Sequence, residues 1–247
     1  QTLAGILRTH FPRAATFGMA GTGALVHYAI FREYVQHFRP KAVFWVFYEA
    51  NDLFDTAVEM RNPTLLRYFE ELDFTQNLRS RQPEVDAALL SFLSDRSEIH
   101  PGRSEGNRPH SPLIPEQGFF EVRMFSGPIW QIPKLTYLRT RLGLHYDQLS
   151  TRNYRRKLEV FREILSRVRS SVLGWGGSLH FVYLPQWRRY RPWYRDTTSR
   201  EEVLRLVREL NVPVVDIEGV FSHHPDPLSL FPFRMHGHYT PEGYALI

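Results

Sequence analysis

The stretch that most narrows the fold is Ala42-Val-Phe-Trp-Val-Phe-Tyr48, seven apolar or aromatic residues that break at once into Glu49-Ala50-Asn51-Asp52. A strand turns alternate side chains to opposite faces, so a run apolar at every position predicts a strand covered on both. Such strands belong to parallel sheets with helices packed on either side. The polar turn then falls at the carboxyl end, where parallel sheets gather their ligand-binding loops. Glu49, Asn51, Asp52 and Asp55 at that place need either partners or a chemical role.

The surrounding pattern agrees with an α/β chain. Leu3, Ile6 and Leu7 recur at helical spacing over residues 1–9, and Ala14–Phe17 reads as a short strand leading into Gly18-Met-Ala-Gly-Thr-Gly23. Leu25, Tyr28, Phe31 and Val35 predict a helix over 24–38, stopped by Pro40. Later come a helix over 154–172 with Leu158, Phe161, Ile164, Leu165 and Val168 on one face, a strand at Ser178–Leu184, a helix over 199–210 and a strand over 212–216. Glu201 and Glu202 suit the start of the 199–210 helix, where the dipole favours anions, and Thr240-Pro241-Glu242 reads as an N-cap with proline at the first helical position. Residues 60–150 break the alternation with many prolines and a helical patch at Pro83–Leu93. They read as a long insertion after the second visible strand, inside one domain spanning 1–247.

Composition excludes several classes. Without cysteine there is neither a disulfide framework nor a thiolate metal site. No run reaches the roughly 18 apolar residues of a membrane helix. The net charge of +5 permits contact with polyanions without arguing for it. The chain opens at Gln1 and closes at Ile247, each inside a helical pattern, so it reads as a fragment. An extracytoplasmic or membrane-anchored setting, with signal or anchor outside the fragment, fits this reading.

Three loops carry the residues of interest: GMAGTG at 18–23, EAND at 49–52, and Met235-His-Gly-His238-Tyr-Thr-Pro-Glu-Gly-Tyr244. Gly21 and Gly23 let the backbone approach a substrate and present N–H groups. Asn51 adds side-chain N–H donors, and His238 adds an imidazole that exchanges protons near neutral pH. Two donors and a base around one point are the apparatus of acyl transfer.

On these residues the chain resembles the SGNH family of GDSL-type hydrolases. Gly21 matches that family's loop glycine, Asn51 in Glu-Ala-Asn-Asp its G-x-N-D asparagine (with Ala50 beside it), and His238 its C-terminal histidine. The resemblance implies a flavodoxin-like three-layer α/β/α sandwich and a serine-dependent esterase working through an acyl-enzyme. In that reading His238 is the base, and Asn51 with the Gly21 N–H forms the oxyanion hole. No cofactor and no metal are expected; the substrate is a small-molecule, glycan or lipid ester. The family's Gly-Asp-Ser motif is not in the sequence; either the nucleophile lies upstream of Gln1, which is the expectation, or the parent protein lacks it. Met235 stands where the family has an acid, so Asp226 or a backbone carbonyl is the candidate to orient His238.

Other readings compete residue by residue. Asn51 and Asp52 also suit a turn, and Asp52 reads as its brace, while Glu49 suits a pair with an unidentified base. His223, His224, His236 and His238 fit surface or packing roles better than a metal site. Gly102-Arg-Ser-Glu-Gly106 matches a nucleophile elbow in letters alone, lacking the strand and helix that such an elbow needs. The loop Gln186-Trp-Arg-Arg-Tyr-Arg-Pro-Trp-Tyr-Arg-Asp196 suits a sugar or acyl pocket, a nucleic-acid surface or an exposed cover. Trp187, Arg188 and Tyr190, with Gly23 and Glu49, are the candidate lining residues, and no nucleic-acid partner is expected. Two alternatives to the esterase keep the same fold: an inactive glycan-binding module, and an O-acyltransferase to a glycan.

Overall fold

A computed structural model of the chain describes residues 2–97, 151–194, 200–235 and 237–247. It divides into two compact units, Gln1–Phe74 with Lys134–Ile247, and Thr75–Pro133. The first unit is mixed α/β around a parallel sheet of β1 (Ala42–Tyr48), β2 (Ser178–Leu184) and β3 (Val214–Asp216), in that order. Trp45 registers with Phe181 and Phe47 with Tyr183, while Val182 registers with Val215.

One sheet face carries the main core. Trp45, Phe47, Leu179, Phe181 and Tyr183 are buried there against the helix Thr151–Gly174, which contributes Phe161, Ile164, Leu165, Val168 and Val172. Those helical residues recur every three or four positions, the spacing read from the sequence. Each is fully buried, and such a side chain contributes roughly 1.5–3 kcal/mol relative to exposure. Val203, Leu204 and Val207 of the helix Arg200–Glu209 join the same core. The helix Ala24–Ile30 continues through a π-helical segment, Phe31–Val35, into a last turn at Gln36–Phe38. Leu25, Tyr28 and Phe31 point inward, and buried Glu33 accepts a 2.5 Å hydrogen bond from the Tyr68 hydroxyl.

The other sheet face departs from the expectation of a strand covered on both sides. Near the carboxyl end Val182 and Leu184 pack with Ile217, Phe221, Leu230, Phe231 and Tyr239. Toward the amino end Phe44 is 58% exposed and Val46 36% exposed. The apolar alternation of β1 marked both faces as coverable, but among the described residues a core forms against only one of them along the whole strand.

Ala14–Phe17 is not a strand: its residues are largely exposed and join no ladder. A short apolar run becomes a strand only where an edge supplies hydrogen-bond partners, and the described sheet offers it none. The other predicted strands and helices fall close to where the sequence places them, with Thr240 capping the helix Pro241–Leu246 by accepting from the Gly243 N–H at 3.2 Å, while the helices Asp52–Glu59 and Ile217–Ser222 were not read from the sequence.

The described part of the second unit is Thr75–Ser97. It holds the helix Gln82–Ser97, whose first turn carries an Arg81–Glu84 ion pair at 2.6 Å and a Gln82–Asp86 hydrogen bond at 2.8 Å. The Gly102–Gly106 sequence lies outside the described residues.

Candidate functional site

The turn after β1 is built by its own polar side chains. Asp52 is buried, and its Oδ2 accepts the Tyr48 backbone N–H at 3.0 Å, which braces the turn as the strand ends. Burial, with the nearby charges of Asp55 and Glu59, holds the Asp52 carboxyl well above the ordinary carboxylate range. Asn51 sits at the N-cap position of the helix Asp52–Glu59 without capping it. Its side-chain amide instead donates to Asp55 Oδ2 at 2.6 Å. An asparagine amide carries two N–H donors, so this bond fixes the group's orientation with one donor still to offer.

Two turns along the same helix, Glu59 holds the glycine loop. Its carboxylate accepts the backbone N–H groups of Gly23 (2.5 Å), Leu25 (3.0 Å) and Val26 (3.3 Å), while the Thr56 hydroxyl accepts that of Ala24 at 2.9 Å. These are the orphan donors at the start of the helix Ala24–Ile30, and a carboxylate there also meets the positive end of the helix dipole. Burial raises the Glu59 carboxyl from its ordinary 4.5 to about 7, against the lowering effect of the three N–H bonds. Gly23 cannot carry a side chain: a Cβ would lie 2.3 Å from the Thr56 backbone nitrogen. Gly21 lies exposed at φ +69°, a conformation that glycine adopts without strain.

Beneath this loop lies His27, which bonds the Thr22 hydroxyl at 3.0 Å and meets Trp45 edge-on. The Thr22 hydroxyl donates to the Met19 carbonyl at 2.7 Å, so it accepts from His27, whose proton therefore sits on Nε2. Burial lowers the imidazole from 6.5 to about 4, which keeps it neutral near pH 7.

The C-terminal loop reaches the same strand end. A Cβ on Gly237 would lie 3.5 Å from the Tyr48 hydroxyl, and the Tyr239 hydroxyl donates to the Pro185 carbonyl at 2.7 Å, just past β2. Exposed His238 thus lies between Gly237, close to the Tyr48 hydroxyl, and Tyr239, bonded just past the end of β2. The Tyr48 hydroxyl is buried with no hydrogen-bond partner among the described residues, and burial keeps it protonated as a donor. Asp226, the candidate to orient His238, is paired with Arg234. Its two oxygens accept from Arg234 at 2.6 and 2.8 Å, and its backbone N–H donates to His224 Nδ1 at 3.1 Å.

Glu49 finds its base in the aromatic loop. Its side chain is 1% exposed and forms a two-pronged ion pair with Arg189, whose Nε lies 3.1 Å away. It also accepts the Gln186 backbone N–H at 3.0 Å and the Tyr194 hydroxyl at 3.4 Å. The short 3₁₀ turn Trp187–Tyr190 is thereby fastened to the end of β1. Trp187 and Tyr190 pack against the Val182–Phe221–Phe231 cluster, and the Arg188 guanidinium lies 5.5 Å from the Trp187 ring.

Sequence reasoning missed Glu59, Thr56, His27 and Tyr48. The spacing of Asn51, Asp55 and Glu59, four residues apart on one helix, is the signal that puts their side chains in a row. Nothing local marked His27. Among the described residues no three metal-binding side chains cluster, and His236 is outside them. Comparison with family models, with curated proteins and with solved structures gave no match.

Proposed function

We propose that the chain is the body of a serine-dependent ester hydrolase of SGNH type, with a flavodoxin-like three-layer sandwich and its nucleophile contributed from ahead of Gln1. The observation that carries this reading is the gathering of three loops at one strand end. Gly237 lies against Tyr48, Asp52 bonds the Tyr48 N–H, Asn51 bonds Asp55, and Gly23 packs on the Asp55–Thr56 backbone.

The serine oxygen attacks the ester carbonyl while His238 takes its proton. Charge collects on the former carbonyl oxygen, where the free Asn51 N–H and the Gly21 backbone N–H stabilise it. Asp55 holds the amide in place for that task, so no reorganisation is needed as the charge develops. His238 returns its proton to the leaving alcohol, then activates the water that releases the acid.

Asn51→Ala, made in the chain that carries the serine, lowers kcat for p-nitrophenyl acetate by about 10²–10³-fold, the usual effect of losing one oxyanion donor. Circular dichroism should remain that of the parent. A rate within twofold of the parent refutes the assignment.

An inactive glycan-binding module of the same fold is the second reading, favoured by Met235 in the acid's place and by the commitment of Asp226 to Arg234. Transfer of the acyl group to a sugar shares the covalent step with hydrolysis. Product analysis with an acceptor glycan separates the two.

A further inference from the structure

The loop between β2 and the helix Arg200–Glu209 has a feature that the esterase chemistry does not use. Arg191 sits with its guanidinium carbon 5.0 Å from the Trp187 ring centre and 5.3 Å from that of Trp193, so two indoles flank one cation. Both separations lie within cation–π range. It donates a long hydrogen bond from Nη2 to the Arg234 carbonyl at 3.4 Å, and its buried Nε has no partner among the described residues. No carboxylate pairs with it among the described residues. A guanidinium has five N–H donors in one plane, so among the described residues most of this fork is uncommitted. Trp193 is 53% exposed, and its indole offers a flat apolar surface beside the cation.

The neighbouring arginines decide what kind of anion suits the place. Arg189 is neutralised by Glu49, and Arg234 by Asp226. A nucleic-acid backbone is held by several unneutralised cations at successive phosphates, and here two of the local guanidinium groups are already cancelled. A guanidinium fork beside an exposed indole fits a single carboxylate on a ring-shaped, largely uncharged body. A sugar acid has that form: its C–H face stacks on an indole while its carboxylate takes a bidentate pair from arginine. The loop is also pre-set, since Glu49 fixes Gln186, Arg189 and Tyr194 to the end of β1.

We propose that Trp187, Arg191 and Trp193 form a recognition site for a uronic-acid sugar, which makes an esterified acidic glycan the substrate class. The assignment of substrate rests on the esterase reading above; the binding itself does not.

The test uses the full chain and measures affinity by calorimetry for three probes: a short oligogalacturonate, a neutral oligoglucan of the same length, and a single-stranded DNA oligomer. Oligogalacturonate should bind tightest, with a shallow salt dependence. Arg191→Gln should weaken it by about tenfold to a hundredfold, the range for a charge-assisted contact. Arg191→Lys should fall between, because it keeps the charge and loses the planar fork. Melting curves of each variant separate lost binding from lost folding.

Equal affinity for the neutral glycan, tighter binding of DNA, or oligogalacturonate binding that ignores Arg191→Gln each overturns the proposal, as does no binding at all. The outcomes also separate it from the esterase reading. If Asn51→Ala abolishes hydrolysis while oligogalacturonate fails to bind, the esterase stands and this site falls. Binding by a chain that hydrolyses no ester gives the reverse.

Discussion

Glu49, which directly follows β1, and Glu59, which closes the helix after it, do the same kind of task, yet they are compensated differently. Each is a buried carboxylate that fastens a loop to the turn-and-helix unit following β1. Glu49 is matched by a full positive charge on Arg189. Among the described residues Glu59 is matched by backbone N–H groups and a helix end. The difference shows how a fold can rank its loops. A two-pronged ion pair holds the arginine loop, while the glycine loop is held by a carboxylate that burial pushes to about 7.

The largest effect should come from breaking the Glu49–Arg189 pair. Arg189→Met leaves Glu49 buried and uncompensated, a change that typically costs about 3–5 kcal/mol. Denaturant unfolding would measure it, and the double variant Arg189→Met/Glu49→Leu should recover most of the loss. A cost near that of an exposed pair, below about 1 kcal/mol, removes the distinction between the two glutamates.

The pH dependence of stability should sharpen the comparison next. Glu59 has a folded value of about 7 against 4.5, so its contribution is full below 4.5 and is lost as pH rises through 7. Buried Asp52 and Asp55 are raised as well and act in the same direction. His27, lowered from 6.5 to about 4, acts in the opposite sense: its contribution is present above 6.5 and is lost as pH falls through 4. The two trends oppose each other between about pH 4.5 and 6.5, and each amounts to roughly 3 kcal/mol at most. His27→Gln should therefore give a protein that becomes more stable on acidification from pH 7 to 4.5. Glu59→Gln should weaken that trend or reverse it. Urea midpoints at half-unit pH steps read both slopes, and parallel slopes in the two variants would contradict the arrangement.

The smallest effect should come from the exposed pair, Asp226 with Arg234. Asp226→Asn should leave the unfolding midpoint close to the parent's. If Asp226 does not orient His238, the pH profile of kcat/KM for p-nitrophenyl acetate should not move. A displaced profile restores Asp226 to that role.

Much of the fold was legible because it depends on local pattern. The apolar runs at 42–48 and 178–184 and the three-and-four spacing of the long helix place strands and core by composition alone. Asp52 was legible as a brace because an aspartate after a strand finds a backbone N–H within its own turn. Glu49 was legible only as a residue in need of a base, since Arg189 is 140 positions away and no local spacing reports such a pairing. Glu59 escaped notice for a related reason: its partners are N–H groups 33 to 36 positions earlier, and a backbone donor has no letter in the sequence. The exposure of Phe44 and Val46 was hidden too, because side-chain type says what a face can bury without saying what covers it.

The same long separations bear on how the chain reaches its fold. β1 meets β2 across a gap like that between Glu49 and Gln186, which are 137 positions apart, so the parallel ladder forms only when two distant parts of the chain are brought together. Pairings of that sequence distance form late and slowly. Until then Ala42–Tyr48 is an uncharged, seven-residue, strand-prone segment with nothing to pair but other copies of itself. Refolding yield should therefore depend steeply on protein concentration, with dilution recovering the soluble fold more effectively than slow cooling.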